Sequence, residues 1–233
     1  MNENNYNEYG YVRETMASYT ARTFFWMFLG LLLTFGLAIW GAVSGTYLNT
    51  LLNVGYIHLG LLVAELVVVI VLVARIHTIR VTTARVLFFA YSAITGFTFS
   101  SLLITYDLAV LILAFGMTAV FFGGMAVYGY LTKTDLSRLR PILMGGLLFL
   151  ILFGLLSLFL PLNWMERGIC LLGVAIFLGF TAYDTQKIKA YYDRYQGDQQ
   201  MLDKVSIVAA LELYLDFINL FLYLLRFFGK QKK

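Results

Sequence analysis

An all-α, polytopic membrane protein of seven transmembrane helices, with the seventh at the centre of the bundle, is the fold predicted by three observations. The 233 residues are 61 % hydrophobic and only 13 % charged, about half the charged share of an ordinary soluble domain. Seven stretches reach the roughly 20 apolar residues that a spanning helix needs. The last of them, Val205 to Phe228, carries Glu212, Asp216, Asn219, Tyr223 and Arg226 at intervals of four, three, four and three, which puts them on one helical face. A carboxylate at the bilayer centre costs about 3 kcal/mol on insertion scales, so this face looks at protein or water rather than lipid. A helix with such a face belongs inside the bundle.

The chain opens on a polar segment, residues 1–22, expected to be cytoplasmic. It holds Glu3, Glu8 and Glu14 and lacks the basic leader and short apolar core of a signal peptide. A transmembrane domain over residues 23–229 and a basic tail at 230–233 follow. The spans run approximately from Phe24 to Val43, Leu52 to Ile76, Val86 to Thr105, Leu108 to Leu131, Ile142 to Leu160, Trp164 to Ile188 and Val205 to Phe228. Pro141 and Pro161 flank the fifth, where proline starts or stops a helix. Gly96, Gly116, Gly123, Gly124, Gly145 and Gly146 are expected to let helices approach closely. None of them follows a strand, so they make no phosphate loop. Tyr128, Tyr130, Trp164, Tyr191 and Tyr192, near segment ends, fit interfacial anchoring. Cys170 has no second thiol and no neighbouring histidine, and reads as a packing residue.

The formal charge of +4 does not point to nucleic acid, because the basic residues sit between apolar runs. With alternating sides, the N-terminus, Arg75 to Arg85, Lys133 to Arg140 and Lys187 to Lys204 fall together, whereas the opposite loops hold only Arg167. The positive-inside tendency makes the first side, with the N-terminus, cytoplasmic. The tail conflicts with this, since Arg226, Lys230, Lys232 and Lys233 lie outside if every segment crosses. A re-entrant last segment would keep them inside, but its full spanning length favours a crossing.

Four carboxylates fall in or near spans: Glu65, Asp184, Glu212 and Asp216. If the sixth helix continues to about Gln196, Asp184 is roughly 18 Å from its end and Asp216 roughly 16 Å from Val205, at 1.5 Å per residue, so the two aspartates meet at one level. Two carboxyl groups in one low-dielectric site do not both ionise cheaply; they share a proton and titrate as a unit. Ionising both drives the sixth and seventh helices apart, and protonation allows a hydrogen bond that closes them. The competing structural reading pairs Asp184 with Lys187, and Asp216 with Asn219 or an arginine. Glu65 is either a third inward polar group or the partner of a basic neighbour such as Arg75. Arg75 is ten residues further on, too far for contact along one straight helix, and is a candidate latch onto the aspartates. His77 and His58 suggest no shared site.

Gly179 to Lys189, GFTAYDTQKIK, and Leu211 to Phe228, LELYLDFINLFLYLLRFF, resemble the sixth and seventh helices of the Bax inhibitor-1, or transmembrane Bax inhibitor motif, family. Tyr128 to Leu139, YGYLTKTDLSRL, and Thr95 to Ser101, TGFTFSS, extend the resemblance, which covers the chain after about residue 18 and is closest to the bacterial inner-membrane branch. The resemblance implies a last helix surrounded by the other six. It also implies a pH-dependent calcium leak governed by an aspartate pair, matched here by Asp184 in YDTQ and Asp216 in YLDF. Glu212 takes the place of a second acidic position in the final helix, and Glu65 and Arg75 are the candidates for a second-helix acid and arginine.

The expectation is therefore a pH-sensitive, calcium-permeable leak in the bacterial plasma (inner) membrane, without enzymatic activity or a tightly bound cofactor. Its partners are the lipid bilayer, calcium and protons. Calcium takes six to eight oxygens, so Asp184 and Asp216 make at most a weak, transient, partly hydrated site. A non-conducting regulator of a stress or protease system, bound to another membrane protein, is the alternative. An intramembrane aspartyl protease is a poorer fit, because Leu213, Tyr214 and Leu215 stand where its GxGD motif would be and the PAL motif is absent.

Overall fold

The computed structural model describes residues 14–229 apart from 55, 158 and 161. Glu3, Glu8, Pro161 and the basic tail lie outside the described residues. Every regular element among those described is helical: α1 (Met16–Val43), α2 (Thr46–Asn53), α3 (Ile57–Arg75), α4 (Val81–Thr105), α5 (Leu108–Leu131), α6 (Arg140–Ser157), α7 (Glu166–Tyr195) and α8 (Gln199–Phe228).

Local chemistry sets the boundaries. Thr15 accepts a hydrogen bond from the Ser18 amide at the start of α1, and Asp198 accepts one from Met201 at the start of α8, satisfying donors that a first helical turn leaves open. Pro141 sits in the first turn of α6, where its missing N–H costs nothing. The second span does not begin at Leu52. Gly45, at φ +69°, turns the chain into the short α2, whose Thr46, Asn49, Thr50 and Asn53 are too polar for a lipid-facing run, and α3 begins only at Ile57.

Helices α1, α4, α5, α6, α7 and α8 are long and apolar enough to cross a bilayer. The 19-residue α3, with Glu65 in its middle, packs alongside them on α4. The outer helices are apolar where they are exposed, as at Leu62, Leu66 and Ile70 on α3 and Leu148, Ile151 and Leu152 on α6. Helix α8 is the reverse: Ile207, Leu211, Leu213, Tyr214, Leu220 and Leu225 are almost wholly enclosed. This is an integral membrane bundle organised around its last helix. The shell differs from the expected ring of six, since α8 packs chiefly against α7, α1, α5 and α4, while α3 lies outside α4 and α6 outside α7.

Close approach is concentrated at few of the expected glycines. A Cβ on Gly96 would stand 2.6 Å from the Thr34 carbonyl oxygen, so this glycine lets α4 touch the α1 backbone, and Gly146 lies against Ile176; Gly116, Gly123, Gly124 and Gly145 face open space.

One end of the bundle gathers Glu14, just before α1, and three connections. Arg22 pairs with Asp203 and Glu14, Lys204 reaches the His77 carbonyl, and Gln186 bonds both Thr134 and Leu136. Glu14 and the 76–80, 132–139 and 196–198 connections are therefore neighbours, which groups the described basic loops as their alternation predicts. Helix α8 runs unbroken from this end to Gly229, which sits against Tyr106 in the α4–α5 connection at the other.

Candidate functional site

Asp184 on α7 and Asp216 on α8 are 8 % and 4 % exposed, and both helices are continuous through them. The depth argument needs one correction, because α8 begins at Gln199 rather than Val205. Measured from the helix ends, Asp216 is about 25 Å in and Asp184 about 17 Å, at 1.5 Å per residue. The register is set instead by a contact between the helices: Lys187 Nζ lies 2.6 Å from Glu212 Oε1. One turn deeper along α7 is Asp184, and one turn deeper along α8 is Asp216, so the aspartates occupy the next level of the same interface. The extra turns of α8, Gln199 to Lys204, reach α1 through Asp203 and Arg22.

Lys187 is the only ammonium that ion-pairs with these acids among the described residues. It lies 3.6 Å from Asp184 Oδ1 as well as on Glu212, and its charge stands over the rings of Tyr191 and Tyr183 at 5.3 and 5.9 Å. Arg140, at the start of α6, adds a more distant positive charge on Asp184. Asp216 is under the charges of Asp184, Glu212 and Lys187. Its Oδ2 is buried without a hydrogen-bond partner, as is Oε2 of Glu212. Asn219, the suggested partner of Asp216, donates its amide to the Leu215 carbonyl instead. A buried acceptor left open in this way costs about 1–3 kcal/mol, which a proton, water or cation offsets.

Among the described residues no three Asp, Glu, His or Cys side chains could hold a metal ion between them. The acids are spread over two levels of the interface.

Glu65 and Arg75 are not brought to this interface. Glu65 faces Thr95 and Thr98 of α4 and lies near Tyr91, with its Oε1 buried and unpartnered. Arg75 is exposed at the end of α3 and enters no ion pair among the described residues. The reason is the shell arrangement, which leaves α3 packed on α4, away from α7.

The remaining polar groups of the α8 stripe also face α7. Tyr223 stacks on Phe177 and covers Gly173, and Arg226 shares a cavity of about 210 Å³ with Glu166, Cys170 and Tyr223. Sequence reasoning missed Lys187 as the link between helices and missed the Glu14–Arg22–Asp203 cluster. A lysine one turn from Asp184 on the same helix was the available signal for the first; Arg22 and Asp203, 181 positions apart, gave none.

Residues 16–233 match the family described as inhibitor of apoptosis-promoting Bax1. The inner membrane protein YbhL of Escherichia coli is 41 % identical over 94 % of each chain. Uncharacterised proteins of Borreliella burgdorferi and Deinococcus radiodurans are 36 % and 38 % identical, the first over 92 % of each chain, the second over 91 % of this chain and 90 % of its own. The family match begins at the first residue of α1 and takes in both acid-bearing helices and every span between, and on that evidence the chain belongs to the Bax inhibitor-1 family.

Proposed function

We propose that this protein is a passive, proton-regulated cation leak that lets calcium through, with Asp184 and Asp216 as its proton-sharing pair and Glu212 as a cation-attracting neighbour. The observation that carries the reading is the open, buried carboxylate oxygen of Asp216 beside Asp184 and Glu212, inside the helix that organises the bundle. Hard carboxylate oxygens suit calcium, and their small number suits rapid release. The protein works in the bacterial plasma membrane with its N-terminus cytoplasmic; the inner-membrane description of the Escherichia coli relative and the grouped basic loops support this.

The sign of the pH response follows from charge. With both aspartates ionised, three carboxylates outnumber the Lys187 ammonium, so cations are drawn in and the two acids push α7 and α8 apart. With the aspartates protonated, their two negative charges are gone and the attraction falls. Calcium flux into dye-loaded proteoliposomes should rise from acidic to alkaline medium. Asp184→Asn and Asp216→Asn should each lower alkaline flux by about tenfold or more, the equivalent of roughly 1.4 kcal/mol, and flatten the pH dependence. Unchanged flux in both variants would remove the aspartates from the mechanism.

A further inference from the structure

We infer that Lys187 is a tethered counter-cation: its ammonium occupies the position that a passing divalent cation must take, and the cation enters by displacing it from Glu212. The inference deepens the leak reading and rests on its assignment of the α7–α8 acids as the ion site.

Four observations carry it. The ammonium is 2.6 Å from one carboxylate and 3.6 Å from another, as a small hard cation among acids would be. One positive charge serves three acids, and Glu212 Oε2 and Asp216 Oδ2 are left without partners, so the lysine under-neutralises the site it fills. The groups facing it are Asp184, Tyr183 and Tyr191 from its own helix and Glu212 and Asp216 from α8, with Arg140 of α6 beyond Asp184. Among the described residues no other ammonium or guanidinium ion-pairs with these acids. Lastly, Tyr183 and Tyr191 offer π faces on which the ammonium can rest, and a lysine's four-carbon stem reorients freely where an arginine's planar fork is held by its geometry. A divalent ion brings twice the charge to the same oxygens. The lysine thus sets a threshold that excludes weakly attracted monovalent ions and admits divalent ones.

Binding of manganese(II), a spectroscopic substitute for calcium with the same oxygen preference, measured by electron paramagnetic resonance on the detergent-purified full chain, tests this. Lys187→Met should bind manganese about tenfold more tightly than the wild type, and Lys187→Arg should not. Adding Asp216→Asn to Lys187→Met should remove the gain. Equal affinity in wild type and Lys187→Met overturns the inference, as does a gain that survives loss of Asp216. If Lys187→Met fails to give a monodisperse protein, Lys187→Met with Glu212→Leu replaces both partners by apolar groups. Manganese bound at least as tightly as in the wild type, despite one carboxylate fewer, supports displacement; weaker binding overturns it. The two readings fail separately. A wild type that passes no calcium while Lys187→Met binds manganese more tightly defeats the leak alone, and aspartate-dependent flux with no gain in binding defeats the counter-cation alone.

Discussion

Tyr214 and Asp216 stand two residues apart on α8 and are equally buried, yet the surroundings built for them are opposite in kind. On the face toward α1 and α4, Tyr214 bonds Thr34 across 2.6 Å, Thr34 reaches the Ser92 carbonyl at 2.9 Å, and the phenol ring packs edge-on against Phe88 and Tyr91. Each of these contacts joins neutral groups, with the Glu65 carboxylate of α3 the nearby charge. On the face toward α7, the acids and one lysine leave two carboxylate oxygens unsatisfied. Buried polar groups in lipid are affordable when closed by hydrogen bonds and expensive when open. The contrast is that Tyr214 is closed by a hydrogen bond and ring contacts, whereas the acids on the α7 face keep open oxygens. Three changes break or sharpen that division.

The largest effect should come from Gly96→Val. A β-branched side chain cannot fit where a Cβ already meets the Thr34 carbonyl at 2.6 Å, and moving α1 away also parts Thr34 from Ser92 and Tyr214. Overpacking with loss of these bonds costs about 3 kcal/mol, read as a sharply lower thermal midpoint or no monodisperse protein. Material that does fold should keep the wild-type ratio of alkaline to acidic calcium flux, because the α7 face is untouched. A flattened ratio would dissolve the distinction between the faces.

Glu212→Gln acts on the other face and should fall between. It leaves Lys187 with Asp184 at 3.6 Å and an amide in place of its strongest partner. Both side chains keep about a quarter of their exposure, so the stability cost is about 1–2 kcal/mol rather than that of a fully buried pair. The flux consequence is the sharper readout: with one acid fewer, alkaline calcium flux should drop severalfold while the pH dependence proposed for the aspartates should persist.

These faces were unequally legible in the sequence. Charges inside an apolar run stand out against their surroundings, so the four–three–four–three spacing from Glu212 to Arg226 gave the α7-facing stripe and the central place of α8 directly. Period tells which side chains share a face, and says nothing of what stands opposite. Hence the pairing of Asp184 with Lys187, the competing reading along one helix, is present at 3.6 Å, while the shorter contact of Lys187 with Glu212 on the next helix has no trace in the spacing. The start of α8 was placed six residues late for a similar reason. Gln199 to Lys204 is polar and reads as a loop, but Asp198 caps it and Asp203 is held by Arg22 from α1. The glycines were legible only in part, because a missing side chain permits close approach without causing it; Gly96 and Gly146 meet a neighbour and Gly116 does not. The neutral face left the weakest trace of all, since Thr34, Ser92 and Tyr214 are ordinary residues in spanning helices and only their meeting gives them a role.

That face yields the smallest and most discriminating change, Tyr214→Phe. The substitution removes one hydroxyl and keeps the ring against Phe88 and Tyr91, so packing is preserved. Thr34 retains the Ser92 carbonyl as acceptor, and no donor is stranded. The loss is therefore one neutral hydrogen bond in a lipid-surrounded bundle, about 1 kcal/mol, measured as a modest fall in thermal midpoint. Calcium flux and its pH profile should match the wild type even though the altered atom belongs to a residue between Glu212 and Asp216 on the same helix. A change in flux comparable to that of Glu212→Gln would mean that the two faces of α8 act as one polar core, with the Thr34–Tyr214 bond coupled to the acids across the helix.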